Sequence, residues 1–486
     1  MVAIAFVYSP SVTEPLGIAY LSSYIKLHFP DIKIRLFNPQ RDAIEELVRF
    51  EPTLVMYSLM STQYLENIQH NNHLKKRMSS FISVFGGPHP TYFPEMVEED
   101  GVDIVCRGDG EVPIKNLLQA IVDQTDICHI AGLWVKQDGI VYRNPVDSVF
   151  QDIEIVYPDR EMLYQASPFL ANMPKKSILT TRGCPFKCTY CHNSGYSEIF
   201  KSQGKILRKR TPKSVVDEIT ALMETNRNMG FIDFLGEVFP GINKEWMREF
   251  TDLYTSKVGL PYWVSLRAEF ITDELVRDLR RSGCVSVGMA IETSDYEYRK
   301  KYLNRKMTNE KIYQSIHSLE SAGIAVGSPI MLGLPFAGFE NDMNTLKMVC
   351  ESNPTYANTC IFQPYEGLPI TEQCKANGLI AENSEPSLAN FYSKASIKGI
   401  DYQKVLKLNN LFTLLHVLHR WFKIDVEVWF YRIPDWKFFH FANMVAKYFS
   451  YRKIIRYKRG IMNGLMEIYV ALSTNIFGYG KNKNLW

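Results

Sequence analysis

The 486-residue sequence has no unbroken apolar run long enough to span a bilayer, which needs about 20 residues. Residues 2–7 are apolar but carry no basic lead and stop at Ser9-Pro10, short of an export signal. The late stretch 461–478 is interrupted by Asn463, Glu467, Ser473, Thr474 and Asn475. A disulfide framework is missing as well, because the nine cysteines are scattered apart from one tight group of three. Repeats and low-complexity tracts are absent. These absences argue against a secreted disulfide-stapled protein, a membrane-spanning one and a fibrous one, and make a reducing cytoplasm the expected setting. Acidic residues run short only at the end: from Phe391 onward there are 16 Lys/Arg against 5 Asp/Glu, although the whole chain is only +3. Such a tail attracts acidic substrates, membrane surfaces or nucleic acid. A solvated helical face is the plainer account, and no nucleic-acid partner is expected.

An apolar content of 46% with 22% charged residues describes a globular chain, and its length calls for two or three domains. Short apolar or β-branched runs at 3–8, 32–37, 53–57, 81–85 and 102–106 alternate with helical patterns at 17–29 and 42–50. This rhythm predicts a Rossmann-like parallel sheet with helices on both faces. Ligands bind at the carboxyl ends of such strands, so the loops Ser58-Leu-Met-Ser61, Gly86-Gly87-Pro-His89-Pro-Thr91 and Gly108-Asp-Gly-Glu111 become candidate contacts. Asp138-Gly139 predicts a hairpin turn between 133–135 and 140–142. Residues 146–176 carry several prolines and no sustained periodicity, and are assigned as a linker. A second βα series follows, with strands at 177–182, 230–235, 262–267, 285–291, 325–332 and 357–362. Six such steps predict a parallel barrel, partial or complete. Residues 386–486 are helical and aromatic-rich and form the expected third domain.

The richest chemistry lies in Thr181-Arg-Gly-Cys184-Pro-Phe-Lys-Cys188-Thr-Tyr-Cys191-His192-Asn193. Three thiolates at CxxxCxxC spacing in one loop after a strand suit an iron–sulfur cluster and leave one iron open to a small molecule. Two rivals use the same residues. Cys188-Thr-Tyr-Cys191-His192 matches the CxxCH attachment motif of c-type haem, but leaves Cys184 unexplained and lacks an export signal. His192 would complete a Cys3His zinc site. Cys106, Cys128, Cys284, Cys350, Cys360 and Cys374 are spread over different elements and are expected to be packed thiols.

The triad after the first barrel strand, with Tyr190 just before its last cysteine, resembles the radical S-adenosylmethionine (SAM) superfamily over residues 177–385. Further matching segments are Arg208-Lys-Arg210-Thr-Pro, Ser282-Gly-Cys284, Gly288-Met-Ala-Ile-Glu292, Leu303-Asn-Arg305, Gly333-Leu-Pro335 and Phe362-Gln-Pro-Tyr365. The resemblance implies a [4Fe–4S] cluster on Cys184, Cys188 and Cys191. It implies SAM on its open iron, with Tyr190, Gly236, Glu237, Arg267 and Glu292 around the SAM. Gly236-Glu237 departs from the family pattern, in which an acidic pair precedes a spaced aromatic.

Residues 1–145 resemble the cobalamin-binding domain that often precedes such a core, through Pro15 to Leu21, Phe85 to Thr91 and Arg107 to Glu111. The resemblance implies cobalamin held by the loops bearing Ser58, Ser61, Gly86, Gly87, His89, Gly108 and Glu111. The DxHxxG box that supplies a lower axial histidine is missing, and Asp126-Ile-Cys-His129 has the wrong spacing. The prolines flanking His89 favour packing over metal ligation. A domain of this kind that holds no cofactor is the plain alternative.

The expected protein is therefore α/β with three parts: a cobalamin-type parallel sheet, a partial (β/α)6 barrel and a helical C-terminal domain. The resemblance implies methylation of a weakly activated carbon by way of a 5′-deoxyadenosyl radical and methylcobalamin. A non-methylating cyclase or rearrangement enzyme and a sensor without turnover are the rivals. A small-molecule, lipid-like or peptide substrate and an electron donor such as flavodoxin or ferredoxin are the implied partners. His416 and His419 lie one helical turn apart, and the tryptophans and paired phenylalanines after residue 420 are expected to form an aromatic helical core.

Overall fold

The computed structural model describes residues 2–8, 13–39, 44–78, 80–380 and 397–457. It divides into two compact units. Described residues through Met173 form one together with Tyr196–Arg208, and Pro174–Gly195 with the described residues from Lys209 onward form the other.

In the first unit, strands β1 (Ala3–Val7), β2 (Lys33–Phe37), β3 (Leu54–Ser58), β4 (Ile82–Gly86) and β5 (Ile104–Cys106) run parallel in the order β2-β1-β3-β4-β5. The predicted hairpin, β6 (Leu133–Gln137) and β7 (Ile140–Arg143), joins antiparallel at the β5 edge. Asp138 and Gly139 both have positive φ, as a tight two-residue turn between twisted strands requires. β1 is buried along its whole length because helices cover both faces. Alternate residues feed two cores: Ile4, Phe6 and Met56 enter one layer, and Ala5, Val55 and Tyr57 the other. The chain reverses its strand order around β1 and β3, so the loops after β3, β4 and β5 crowd one end of the sheet.

The expected linker is folded. Arg160–Ala166 and Pro168–Asn172 are short helices started by Asp159 and Ser167 caps, and Met162 and Leu163 are buried in the first unit's core. Its prolines start structure here, since Pro168 occupies the first helical turn, where a missing N–H costs nothing.

The second unit holds six parallel strands in chain order, β8 (Lys175–Leu179), β9 (Phe231–Leu235), β10 (Tyr262–Ser265), β11 (Cys284–Gly288), β12 (Ala325–Leu332) and β13 (Tyr356–Ile361). Among the described residues β8 and β13 do not pair, so the sheet is the expected partial barrel. Ile178, Ile232, Phe234, Val264, Val287 and Val326 point outward into a core shared with the crossover helices. Arg210 lies in that layer, wholly buried. It bonds to Glu218, to the carbonyl of Leu179 at 3.1 Å and to that of Ser214 at 2.9 Å.

The C-terminal helices differ from expectation in two ways. Val405, Leu408, Leu411, Phe412 and Leu415 of the Tyr402–Phe422 helix join the barrel's own core and so do not build a separate one. The aromatic core is formed only in part: Phe430 is buried and Phe439 packs against the barrel's core, whereas Trp421, Trp436 and Phe438 are exposed. The Lys437–Ile454 helix buries Asn443, Ser450 and Ile454 and packs Phe439 against the barrel's core, and it leaves Phe438, Phe441 and Phe449 outside. His416 is buried, whereas His419 bonds through Nδ1 to the Ile424 carbonyl at 2.8 Å, so the two do not form a ligand pair. The expected domain also includes residues 386–396 and 458–486, which lie outside the described residues. No described helix is long and apolar enough to cross a membrane.

Removing one member of a buried ion pair leaves the other charge uncompensated. Glu218→Ala is expected to destabilise the second unit by about 3–5 kcal/mol. Urea unfolding followed by circular dichroism measures this, and a loss below about 1 kcal/mol would show that Arg210 finds another partner.

Candidate functional site

The cysteine loop leaves the carboxyl end of β8 and is pinned from one side by residues 302–305. Thr189 Oγ1 donates to the Tyr302 carbonyl, Asn304 Nδ2 to the Lys187 carbonyl at 2.8 Å, and Arg305 Nη1 to the Tyr190 hydroxyl at 2.9 Å. Tyr190 in turn donates to Glu292 Oε1 at 2.6 Å, and Arg305 reaches the same oxygen at 3.0 Å. Glu292 is buried just beyond β11 with φ of +67°, a conformation that costs a non-glycine residue about 1–3 kcal/mol. The strain aims its carboxylate inward at Tyr190 and Arg305. Arg305 belonged to a matching segment but had no role assigned; the sequence offers no sign that it pairs with Glu292, 13 residues earlier.

Cys188 is buried, Cys184 and Cys191 are partly so, and none forms a disulfide. Burial raises the Cys184 thiol to about 11. It raises Cys188 too, against the opposing pull of Arg305 and Arg267, and Cys191, against hydrogen bonds from Asn193. Arg267 Nη1 lies 3.4 Å from Cys188 Sγ, and Asn193 Nδ2 lies 3.6 Å from Cys191 Sγ. Donors aimed at sulfur stabilise thiolates once a metal displaces the protons. Among the described residues no three Cys, His, Asp or Glu side chains converge on one ion position. Three free thiols on one loop, with donors near two of the sulfurs, fit an iron–sulfur group, which Cys184, Cys188 and Cys191 would hold.

Arg267 is fixed in place: its Nε and Nη2 bond to Glu269, and its guanidinium lies 4.0 Å above the Phe186 ring. Glu237 Oε2 accepts from Asn193 Nδ2 at 2.7 Å, which ties the end of β9 to the residue two past Cys191. Gly236 has φ of +149°, and a Cβ there would lie 2.4 Å from Thr181 Oγ1. Beside these groups opens a cavity of about 410 Å³ inside the barrel. Glu237, Arg267 and Arg305 contribute charge to its lining, and Trp263, Gly288, Gly327 and Ile454 provide apolar wall. Its volume and mixed lining suit a ligand of cofactor size. Tyr190, Gly236, Glu237, Arg267 and Glu292 thus gather around the triad, with Tyr190 and Glu292 committed to the internal network.

In the first unit, Gly87 has φ of +99°, and a Cβ there would stand 2.9 Å from the Leu59 nitrogen, so the loops after β3 and β4 touch backbone to backbone. Leu59 N bonds to the Gly86 carbonyl at 2.9 Å, and His89 N to that of Leu59 at 3.1 Å. The buried His89 ring packs between Tyr64 and Phe93, and its Nδ1 is 3.1 Å from Ser61 Oγ. Gly108 bonds through its N–H to Thr91 Oγ1 at 3.0 Å, and a Cβ there would lie 2.3 Å from Phe200. Phe200 was not singled out in the sequence; its contact is long-range. Glu111 is buried in the first turn of the Glu111–Asp123 helix. Ser58, Ser61, Gly86, Gly87, His89 and Gly108 thus share one end of the sheet. The ends are small and close-set, which fits a large flat ligand, and His89 is packed sideways within the protein.

Residues 3–118 match the family model described as the B12 binding domain, and residues 178–349 match that of the radical SAM superfamily. An uncharacterized methyltransferase of Pyrococcus horikoshii is 24% identical over 75% of this chain and 79% of its own. An anaerobic magnesium-protoporphyrin IX monomethyl ester cyclase of Rubrivivax gelatinosus is 26% identical over 72% of this chain and 64% of its own. The solved structure of the radical SAM methyltransferase TsrM from Kitasatospora setae has a similar fold, with a TM-score of 0.62 and 19% identity over 79% of each chain.

Burial lowers the His89 pKa to about 4. The unfolded chain binds its proton near the ordinary 6.5, so acid favours unfolding. Stability is whole above pH 6.5 and falls as pH drops toward 4, by up to about 3 kcal/mol. His89→Asn should flatten that part of the stability–pH curve in urea titrations; an unchanged slope would show that His89 is protonated in the folded state.

Proposed function

We infer the reaction from one premise: this chain belongs to the radical SAM enzymes that carry an N-terminal B12-binding domain. The function supported best is a cobalamin-dependent methyltransferase acting on a weakly activated carbon. The observation that carries it is the presence in one chain of a three-thiol loop and a B12-type sheet whose β3, β4 and β5 loops are small and close-set. When bound, the cluster supplies an electron to SAM, and cobalamin supplies a methyl group to the substrate. The protein's share is positioning. Tyr190, Glu292 and Arg305 hold the cysteine loop, Arg267 and Asn193 place donors against Cys188 and Cys191, and the Gly236–Glu237 turn brings backbone and a carboxylate to the cavity rim. The Pyrococcus relative's designation supports methyl transfer. Similarity to the Rubrivivax enzyme favours a second reading, cyclisation without methyl transfer. An electron donor of the flavodoxin or ferredoxin kind belongs to either reading, as does a reducing cytoplasmic setting.

Product analysis separates the two. A methyltransferase leaves 5′-deoxyadenosine and S-adenosylhomocysteine in step with methylated product, whereas a cyclase leaves 5′-deoxyadenosine alone. Anaerobic turnover with mass spectrometry is expected to show both nucleosides. Substrate conversion with S-adenosylhomocysteine at background would overturn methyl transfer and leave the family assignment intact.

The Cys184→Ala, Cys188→Ala, Cys191→Ala variant is expected to lose reconstituted iron and its visible absorption while retaining cobalamin. A full complement of iron on that variant would place the cluster elsewhere.

A further inference from the structure

The Lys437–Ile454 helix packs Phe439 and Ile454 inward but also carries an exposed apolar stripe. In a globular protein the apolar stripe of a helix faces the core and the polar face meets water. Here Asn443, Ser450 and Ile454 are buried, and Asn443 Oδ1 accepts a hydrogen bond from Leu414 N of the Tyr402–Phe422 helix at 2.8 Å. Phe438, Phe441, Val445 and Phe449 recur at spacings of three and four residues, so they share one face. All four are exposed, Phe438 at 69% and Phe449 at 60%, and Trp436 at the helix start is 65% exposed. Scattered exposed apolar residues are ordinary, but a full stripe of them on one helix marks a surface that another phase covers.

Charge identifies that phase. The helix carries no acidic residue, and from Lys437 to the last residue there are nine Lys/Arg against one acidic residue, Glu467. Lys437, Arg452 and Lys453 are exposed at the two ends of the stripe and form no ion pair among the described residues. A bare protein surface of this charge repels a second copy of itself. A phenylalanine stripe flanked by unpaired cations matches a bilayer interface, with rings at the acyl boundary and cations at anionic headgroups.

We propose that the outward face of the Lys437–Ile454 helix docks this enzyme onto an anionic phospholipid surface. The helix lies in the membrane plane, its aromatic stripe inserted and its basic ends on the headgroups. Its opposite face supplies Ile454 to the wall of the barrel cavity. A bilayer seated on the helix therefore lies about one helix diameter, ~10 Å, from that cavity.

The test is cosedimentation of the full-length protein with vesicles of phosphatidylcholine alone or of equal parts phosphatidylcholine and phosphatidylglycerol. No turnover is needed, so the result is independent of the proposed reaction. Binding to the mixed vesicles only is expected, weakened by salt. The Phe438→Ser, Phe441→Ser, Phe449→Ser variant should bind at least about tenfold more weakly, with circular dichroism and gel filtration unchanged. Should it misfold, the Lys437→Glu, Arg452→Glu, Lys453→Glu variant serves instead, with a loss of about a hundredfold. No binding to mixed vesicles, equal binding to neutral ones, or binding that survives both variants would overturn the proposal. So would a dimer that the phenylalanine variant dissolves, since a second copy would then cover the face.

Discussion

The triangle of Tyr190, Glu292 and Arg305 is the constraint on which the reactive end of the barrel depends. One carboxylate oxygen accepts from both a phenol and a guanidinium, and the three groups join the cysteine loop, the end of β11 and the segment after residue 301. A buried carboxylate and a buried guanidinium are costly singly and tolerable together, so each holds the other in place. The phenol has no charge to lose and moves with its loop. Tyr190 lies between Cys188 and Cys191, so the triangle sets the path of the backbone on which two of the three thiols sit. Glu292 holds its carboxylate in this triangle at an unfavourable φ of +67°.

Much of this fold can be read directly in the sequence, for physical reasons that vary along the chain. Residues 325–332 form a strand with the expected limits because Val326, Ile330 and Leu332 are apolar and a turn signal stands at each end. The Lys244–Lys257 helix is legible because Asn243 caps it and its apolar spacing is regular. The cysteine triad is legible because its chemistry is local, three ligands within eight residues. Arg305 is illegible because its partners lie 13 and 115 residues away and a lone arginine in a loop has no period. The 146–176 segment misleads through its prolines, which open short helices there as readily as they end them.

The aromatic residues after position 420 show a different limit. Periodicity says that Phe438, Phe441, Val445 and Phe449 share a face, and composition says that such faces are buried. Only the fold shows which way the helix is turned. The Tyr402–Phe422 helix has already supplied the leucine and valine side chains that seal the outer surface of the barrel wall. The later helix meets the barrel through Asn443, Ser450 and Ile454, with Ser286 Oγ donating to the Ile454 carbonyl at 2.6 Å. Hydrogen bonds at that face hold the rotation that turns Phe439 inward and Phe438, Phe441 and Phe449 outward.

The two units treat buried polar groups in opposite ways, and the contrast follows from what each must hold. Around the cysteines, Arg267, Arg305 and Asn193 keep donors aimed at sulfur or carboxylate, an arrangement that favours negative charge gathering there. At the ligand end of the first sheet, the one imidazole is kept neutral by burial and turned between two aromatic rings. One nitrogen of that ring, Nδ1, is engaged with Ser61, and the side chain is buried. The first site is built to stabilise charge, and the second keeps its histidine neutral among packed aromatic rings. That division suits a barrel whose cysteine loop gathers negative charge and a sheet end whose imidazole carries none.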